Sequence, residues 1–548
     1  MSSFTTEALT ALELQADPLA LKGPLLPFLL PKATIPSAQL PTRRRPWQSP
    51  FGKDKHPEWV LDFFIVPAAF PRSVKGSTQK TTTTALDVGP ARLVPARPDT
   101  STLDSASAPA AASRKSPRID PQKAVHDLLQ AQLHGLRNPT QLSDKAELQE
   151  QEQMFLAPNR FRKSTSPRWS TSAQNRTEAK GSEPCLTLVM AHANGFHKET
   201  FEPMISDLLD RMGSEIREVE EIWTIDTFSQ GDSALMNDEV IGRAFNWADH
   251  ARDILNFVIS YLPDPSSPDP TRSCLPYLPP THPTALDLDL KPLLPGMSTP
   301  SNRVHRNRLV IGLGHSISGG AMVTAASAQP NLFSALLLVD PGAAPPYQLN
   351  RDQPSTMQDW SIGAFVRKER WASRAKARES LKRKMVFQRW DERCLDKYVE
   401  FGTIELPDGA GVRLKTRPKN EAVSLSILDG SCAVFIESFI LVRFQLAYGD
   451  PCGVSSRRCG GRLPLIPTIL PVHFIWPEEG CSVLDEESIA DTMRAIPHAT
   501  FARAEEGAHL LVQENPASTA EEVAKFLMKT YPTISKGKEG RLSGEARL

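Results

Sequence analysis

The chain has 548 residues, enough for one large domain carrying insertions or for two to three ordinary domains. Its 63 Lys and Arg balance its 63 Asp and Glu, so no net field draws nucleic acid or an anionic membrane surface, and the expected partner is a small molecule or a protein. Seven cysteines without a Cys-x-x-Cys pair suggest neither a disulfide framework nor a zinc site, and they fit a reducing compartment.

The 48 prolines cluster, which predicts compact pieces separated by disordered ones. Residues 1–55 read as a disordered N-terminal segment, acidic at its start where a signal or transit peptide would be basic. A first core part is expected over 56–346, with disordered insertions near 75–125, 163–183 and 263–306. Within it a strand begins at Trp59, a helix runs from Pro121 to about Gly135, and a short strand lies near Phe155.

From Cys185 the pattern alternates. CLTLVMA is an apolar strand, KETFEPMISDLLDRM a helix, and EEIWTID a strand leaving into a polar loop. Trp247, Ala251, Ile254 and Val258 at steps of three and four make an amphipathic helix. After the Pro-rich interruption come strand RLVIGLGH, helix AMVTAASA and strand ALLLVD. Near-continuous apolar strands alternating with helices predict an α/β fold with a mostly parallel, doubly wound sheet.

Residues 347–470 read as an inserted cap region. It holds a basic helical stretch expected to be a solvated surface, a hairpin about Asp408 and Gly409, and the aromatics Trp371, Phe387 and Trp390, read as core. An unusual insertion near 424–465 lacks periodicity and has the character of an unspliced stretch. Its apolar run from Cys432 is broken by Glu437 and Arg443, short of the about 20 residues that span a membrane, so no membrane span is expected. The second core part, 471–532, supplies strand PVHFIW, helix DEESIADTMRA, a strand from Ala499 and a closing helix, before a flexible tail at 533–548.

The chemistry centres on GLGHSISGG, Gly312 to Gly320. Strand, sharp turn and helix around a serine with small neighbours is the requirement of a nucleophile elbow. No GxxxxGK[ST] is present, and Ile317 stands where GxGxxG needs its third Gly, so a phosphate cradle is not matched. Upstream, His192 to Phe196 follow an apolar strand, where a loop can supply one backbone N–H of an oxyanion hole, the other coming from Ile317 or its neighbour. Downstream, His509 follows a strand and can act as general base, with acids at the ends of two strands in between. Serine, acid, histidine is one chain order of the hydrolytic triad.

HANGFHKE from His192, GHS at Gly314 to Ser316, LLLVDP at Leu336 to Pro341 and GAHLLVQENP from Gly507 resemble the α/β-hydrolase fold superfamily, and within it fungal peroxisomal lipase or esterase-like proteins. The resemblance implies a helical cap inserted between strands 6 and 7. It implies a serine hydrolase of carboxylic esters working through an acyl-enzyme on a small-molecule acyl substrate, without metal or organic cofactor. Residue by residue it gives Ser316 as nucleophile with Ser318 as alternative, His509 as base, and Asp340 as acid with Glu478 and Glu479 as alternatives. Asn194 and Ile317 fall at the oxyanion hole, and His192 organises that loop, while His197 is expected to be exposed.

The elbow commonly reads GHSMGG, so GHSISGG suggests one added residue, and Gly480 occupies a slot where the family commonly has Asp. These departures leave a second reading, a catalytically silent binding or scaffold protein. Thioesters, lactones and carbon–carbon bonds are further substrate classes that the same triad serves. The C-terminal Ala546, Arg547 and Leu548 resemble the tripeptide read by the peroxisomal import receptor, which implies a peroxisome, with the cytoplasm as alternative.

Overall fold

The computed structural model of the protein describes residues 25–29, 31–32, 49–52, 55–80, 120–164, 166, 184–212, 219–263, 308–343, 356–425 and 461–532. The C-terminal tripeptide, the apolar run from Cys432 and most of the expected insertions lie outside the described residues.

One sheet holds strands β1 (Trp59–Phe63), β2 (Asn159–Lys163), β3 (Cys185–Ala191), β4 (Val219–Ile225), β5 (Arg308–His315), β6 (Ala335–Val339), β7 (Val472–Trp476) and β8 (Thr500–Arg503). They lie in the order β1-β2-β4-β3-β5-β6-β7-β8. Only β2 runs against its neighbours, pairing antiparallel with β1 and β4, and the pairings from β4 through β8 are parallel.

The helices follow as α1 (Pro121–Arg137), α2 (Glu202–Arg211), α3 (Gly231–Asn237), α4 (Trp247–Asn256), α5 (Ile317–Ala328), α6 (Thr356–Phe365), α7 (Arg374–Lys382), α8 (Glu392–Gly402), α9 (Pro418–Leu425), α10 (Glu486–Ala495) and α11 (Pro516–Thr530). Alternate side chains of a strand point to opposite faces, and β3 serves both. Leu186, Leu188 and Met190 join the apolar cluster under α2 and α11. Val189 and Ala191 join the one under α4 and α5. Strand positions covered on both faces favour apolar residues, which is why the central strands β3, β5 and β6 read as near-continuous apolar runs.

Two stretches depart from the expected boundaries. Inside the segment 1–55, residues 25–29 lie on the core. Leu25 and Phe28 pack on the main apolar cluster, and buried Arg252 donates to the carbonyls of Leu26 at 2.8 Å and Pro27 at 3.2 Å. Proline lacks an N–H but keeps its carbonyl, so Pro27 serves the buried guanidinium as Leu26 does. The core also resumes before 471, because Leu463, Ile466 and Leu470 are buried in the same cluster.

The cap leaves the sheet between β6 and β7. Helices α6 to α9 accompany a small sheet in which Val412–Leu414 pairs with both Thr403–Glu405 and Arg370–Trp371. The hairpin turns through Pro407–Gly409. Trp371, Phe387 and Trp390 form a buried cluster with Tyr398, and Phe196 of the core packs into it. The basic α7 is a solvated face crossed by exposed ion pairs, such as Lys376 with Glu379 at 2.8 Å and Arg378 with Asp396 at 2.6 Å.

Candidate active site

Strand order reverses between β3 and β5, so the loops leaving their carboxyl ends line the crevice where doubly wound sheets hold ligands. One loop is His192–Phe196 and the other is the elbow. Strand β5 ends at His315 and α5 begins at Ile317, leaving Ser316 alone to turn the chain. It does so with φ 56° and ψ −122°, a conformation costing roughly 1–3 kcal/mol that its surroundings must impose. Its N–H donates to Val339 O at 3.0 Å, and its carbonyl accepts from Gly319 N at 2.9 Å and Gly342 N at 2.8 Å. A Cβ on Gly314 would lie 2.4 Å from the Ser318 carbonyl oxygen, so only glycine fits before the turn. The turn itself holds no residue besides Ser316. Because α5 starts directly after Ser316, Ser318 is the second residue beyond the apex and sits inside the helix.

Ser316 Oγ lies 3.0 Å from His509 Nε2, and His509 Nδ1 lies 2.6 Å from Asp340 Oδ2. Burial deepens along this line, with the His509 side chain 16% exposed, Ser316 8% and Asp340 0%. Asp340 is the first residue beyond β6 and itself has φ 35°. Its second oxygen accepts from Ser482 Oγ at 2.5 Å, and Val483 N donates to Oδ2 at 3.4 Å. With Nδ1–H directed at the carboxylate, Nε2 is left as the acceptor for Ser316 Oγ–H. The His509 carbonyl accepts from His315 Nε2–H at 2.7 Å. Burial, with His509 nearby, pushes the His315 imidazole down to about 3, so it is a neutral donor.

The alternative acids stand elsewhere. Glu478 and Glu479 are exposed beyond β7, and the His509 nitrogen that an acid would engage faces Asp340. Gly480, the slot where the resemblance implied Asp, is also exposed beyond β7. Ser318 is likewise not at the apex. Its Oγ donates to the His192 carbonyl at 2.5 Å and lies 2.8 Å from His250 Nε2. One hydroxyl has one proton, so His250 must be the donor in that second contact. Burial pushes His250 down to about 3, and such a donor is not a base for Ser318.

On the facing loop, His192 Nδ1–H donates to Ala193 O at 2.8 Å, while its Nε2 accepts from Thr227 N at 3.2 Å. Gln230, 1% exposed at the start of α3, grips the same loop with both ends of its amide. Its Oε1 accepts from Gly195 N at 3.0 Å, and its Nε2 donates to Asn194 Oδ1. Ser424 of cap helix α9 donates to the same Asn194 oxygen at 2.5 Å. The backbone N–H groups of Asn194 and Ile317 make no hydrogen bond among the described residues, as donors reserved for a ligand oxygen would.

His197 is not exposed as expected but buried, with Nδ1 2.9 Å from Glu199 Oε2 and Nε2 3.3 Å from Tyr398 O of the cap. Beside it Lys198 Nζ reaches Asp226 at 2.9 Å and Asp232 at 2.7 Å, and Lys415 of the cap reaches Asp232 at 2.8 Å. Burial is the largest influence and alone would raise the Asp226 carboxyl, yet the Lys198 ammonium and the His192 side chain together hold this group below the usual carboxylate range. Gln230, His250, Ser424 and Ser482 carry no motif, and the sequence reading did not find them. Each comes from a segment remote in the chain, and polar-loop composition around DTFSQGDS was the only signal for Gln230.

No family model matches the chain. It is similar to the peroxisomal alpha-beta-hydrolase Lpx1 of Saccharomyces cerevisiae, whose structure matches with a TM-score of 0.51 and 14% identity over 86% of this chain and 90% of that one. The chain has the α/β-hydrolase fold. Among curated relatives, the type I acyl-CoA thioesterase mpaH of Penicillium brevicompactum is 26% identical over 229 residues, 41% of this chain and 41% of that protein. The peroxisomal membrane protein LPX1 of S. cerevisiae is 26% identical over 171 residues, 31% of this chain and 34% of that protein. The chain therefore matches well under half the length of these relatives. They are fungal, as the motif resemblance implied, and the cap between β6 and β7 is the expected one. Among the described residues no three His, Cys, Asp or Glu side chains gather to hold a metal, and no helix is long and apolar enough to cross a membrane.

Proposed function

We propose that the protein is a serine hydrolase of carboxylic esters or thioesters, with Ser316 as nucleophile, His509 as base and Asp340 as the acid that orients it. The observation carrying this reading is the Ser316–His509–Asp340 chain, 3.0 Å and 2.6 Å, seated on a strained elbow at the carboxyl ends of the strands. Ser316 Oγ bonds the acyl carbon as its proton passes to Nε2, and the charge arriving on the carbonyl oxygen faces the N–H groups of Asn194 and Ile317. Collapse expels the alcohol or thiol, which takes the proton from Nε2, and water repeats the sequence to free the acid.

The thioester class has a support of its own in the similarity to an acyl-CoA thioesterase. A silent scaffold is disfavoured, because a carboxylate-paired histidine beside a strained serine costs stability that a binding surface does not require. The test is labelling by a fluorophosphonate, with turnover of a p-nitrophenyl ester and an acyl-CoA read on the same protein. Ser316→Ala should abolish labelling and both turnovers, whereas Ser318→Ala should keep the label. An unlabelled folded wild type would sink the reading, and the ratio of the two kcat/KM values chooses between ester and thioester.

A peroxisomal setting belongs to the same proposal, supported by the yeast relative and by Ala546, Arg547 and Leu548. Removing Leu548 from a tagged chain should disperse a punctate signal, and an unchanged pattern would count against it.

A further inference from the structure

The serine that does not stand at the apex still touches the site. Ser318 Oγ binds the His192 carbonyl at 2.5 Å and is itself held by His250 at 2.8 Å. All three residues are essentially buried, with exposures of 0% for Ser318, 1% for His250 and 0% for His192. This fixes one end of the loop that carries Asn194. Gln230 fixes the other, taking the Gly195 N–H on Oε1 and giving Nε2–H to Asn194 Oδ1. The Asn194 side chain is therefore occupied, and the group it can offer the site is its backbone N–H. Gly195 itself has φ 83°, and a Cβ there would lie 2.6 Å from Glu421 Oε1 of the cap. The loop is thus pressed between α5, α3 and α9.

Resting on the hydrolase reading above, we propose that Ser318 and Gln230 are positioning residues that aim the Asn194 N–H at the developing oxyanion, and that Ser424 makes this aim depend on the seating of cap helix α9. Ser424 Oγ gives its proton to Asn194 Oδ1 at 2.5 Å and also lies 3.5 Å from Gln230 Nε2. Asn194 Oδ1 so collects two donors, one from the core and one from the cap. The hole is thus aimed from both sides, by the core and by the cap helix seated on it. Stabilisation of this kind acts on the charged transition state and little on the bound substrate, so its loss falls on kcat.

Gln230→Met keeps the length of the side chain and removes both hydrogen bonds, Ser318→Ala releases the His192 carbonyl, and Ser424→Ala removes only the cap donor. With a p-nitrophenyl ester, Gln230→Met and Ser318→Ala should each lower kcat by roughly 10- to 100-fold, with KM within about twofold. Ser424→Ala should lower it by roughly 3- to 10-fold. Binding of a trifluoromethyl ketone, which forms an oxyanion on Ser316, should weaken in parallel with kcat, while a substrate-shaped amide binds unchanged. A merely structural role would instead lower melting temperature and fluorophosphonate-reactive fraction without a kcat-selective loss. If the wild type is active and Gln230→Met and Ser424→Ala, folded by circular dichroism, retain kcat, this proposal fails and the hydrolase reading stands. If the wild type hydrolyses no ester or thioester, both fall.

Discussion

Asp340 is surrounded by donors. His509 Nδ1–H, Ser482 Oγ–H and Val483 N–H all point at its two oxygens, an environment that suits an acceptor-only carboxylate. An amide in its place would present N–H to one of these donors and favour the wrong imidazole tautomer. Asp340→Asn should therefore reduce kcat by about 10⁴-fold, while Glu478→Gln and Glu479→Gln, both at exposed positions, leave the rate unchanged. Ester turnover by the three purified variants checks this. Equal losses in Glu478→Gln and Asp340→Asn would move the acid to β7.

The central strands were legible because they are buried on both faces, so β3, β5 and β6 appear as near-continuous apolar runs whatever their neighbours. The elbow was legible because steric demand at one turn leaves only small residues, and those are local in sequence. Its register was less so. GHSISGG looks one residue long when matched by its glycine pair, whereas Ser318 simply occupies a helix position where its hydroxyl fits under the His192 carbonyl. Sequence could not announce that fit, since it joins residues 126 apart. His197 misled for a similar reason. A histidine among polar neighbours reads as exposed, yet here one such neighbour, Glu199, and the carbonyl of Tyr398, remote in the chain, are the partners that let it be buried. Residues 25–29 were read from the composition of the Pro-rich segment around them, which registers missing donors but not the carbonyls that Arg252 uses.

For the whole molecule, the buried neutral histidines oppose acid. His250 and His315 are held near 3 by burial, against about 6.5 in an unfolded chain. Between these values the unfolded state binds protons that the native state refuses, so stability is full above pH 6.5 and declines as pH falls toward 3. Each such histidine contributes about 1.4 kcal/mol per pH unit well below 6.5. Urea midpoints measured from pH 7.5 to pH 5 should fall accordingly, and His250→Gln should flatten the slope even if it lowers the midpoint at pH 7.5. A midpoint independent of pH over this range would show that neither imidazole is kept neutral by the fold.

The ionic contact that joins Lys415 of the cap to Asp232 of the core, with Lys198 beneath it, bears on how substrate enters. Parting these groups would strand charges in a dry interior, at a cost of several kcal/mol. A roof bolted in this way is architecture more than a door. Substrates would then be sorted by the shape of a standing chamber and the width of its approach, and a surface of oil or lipid would have no hinged lid to lift.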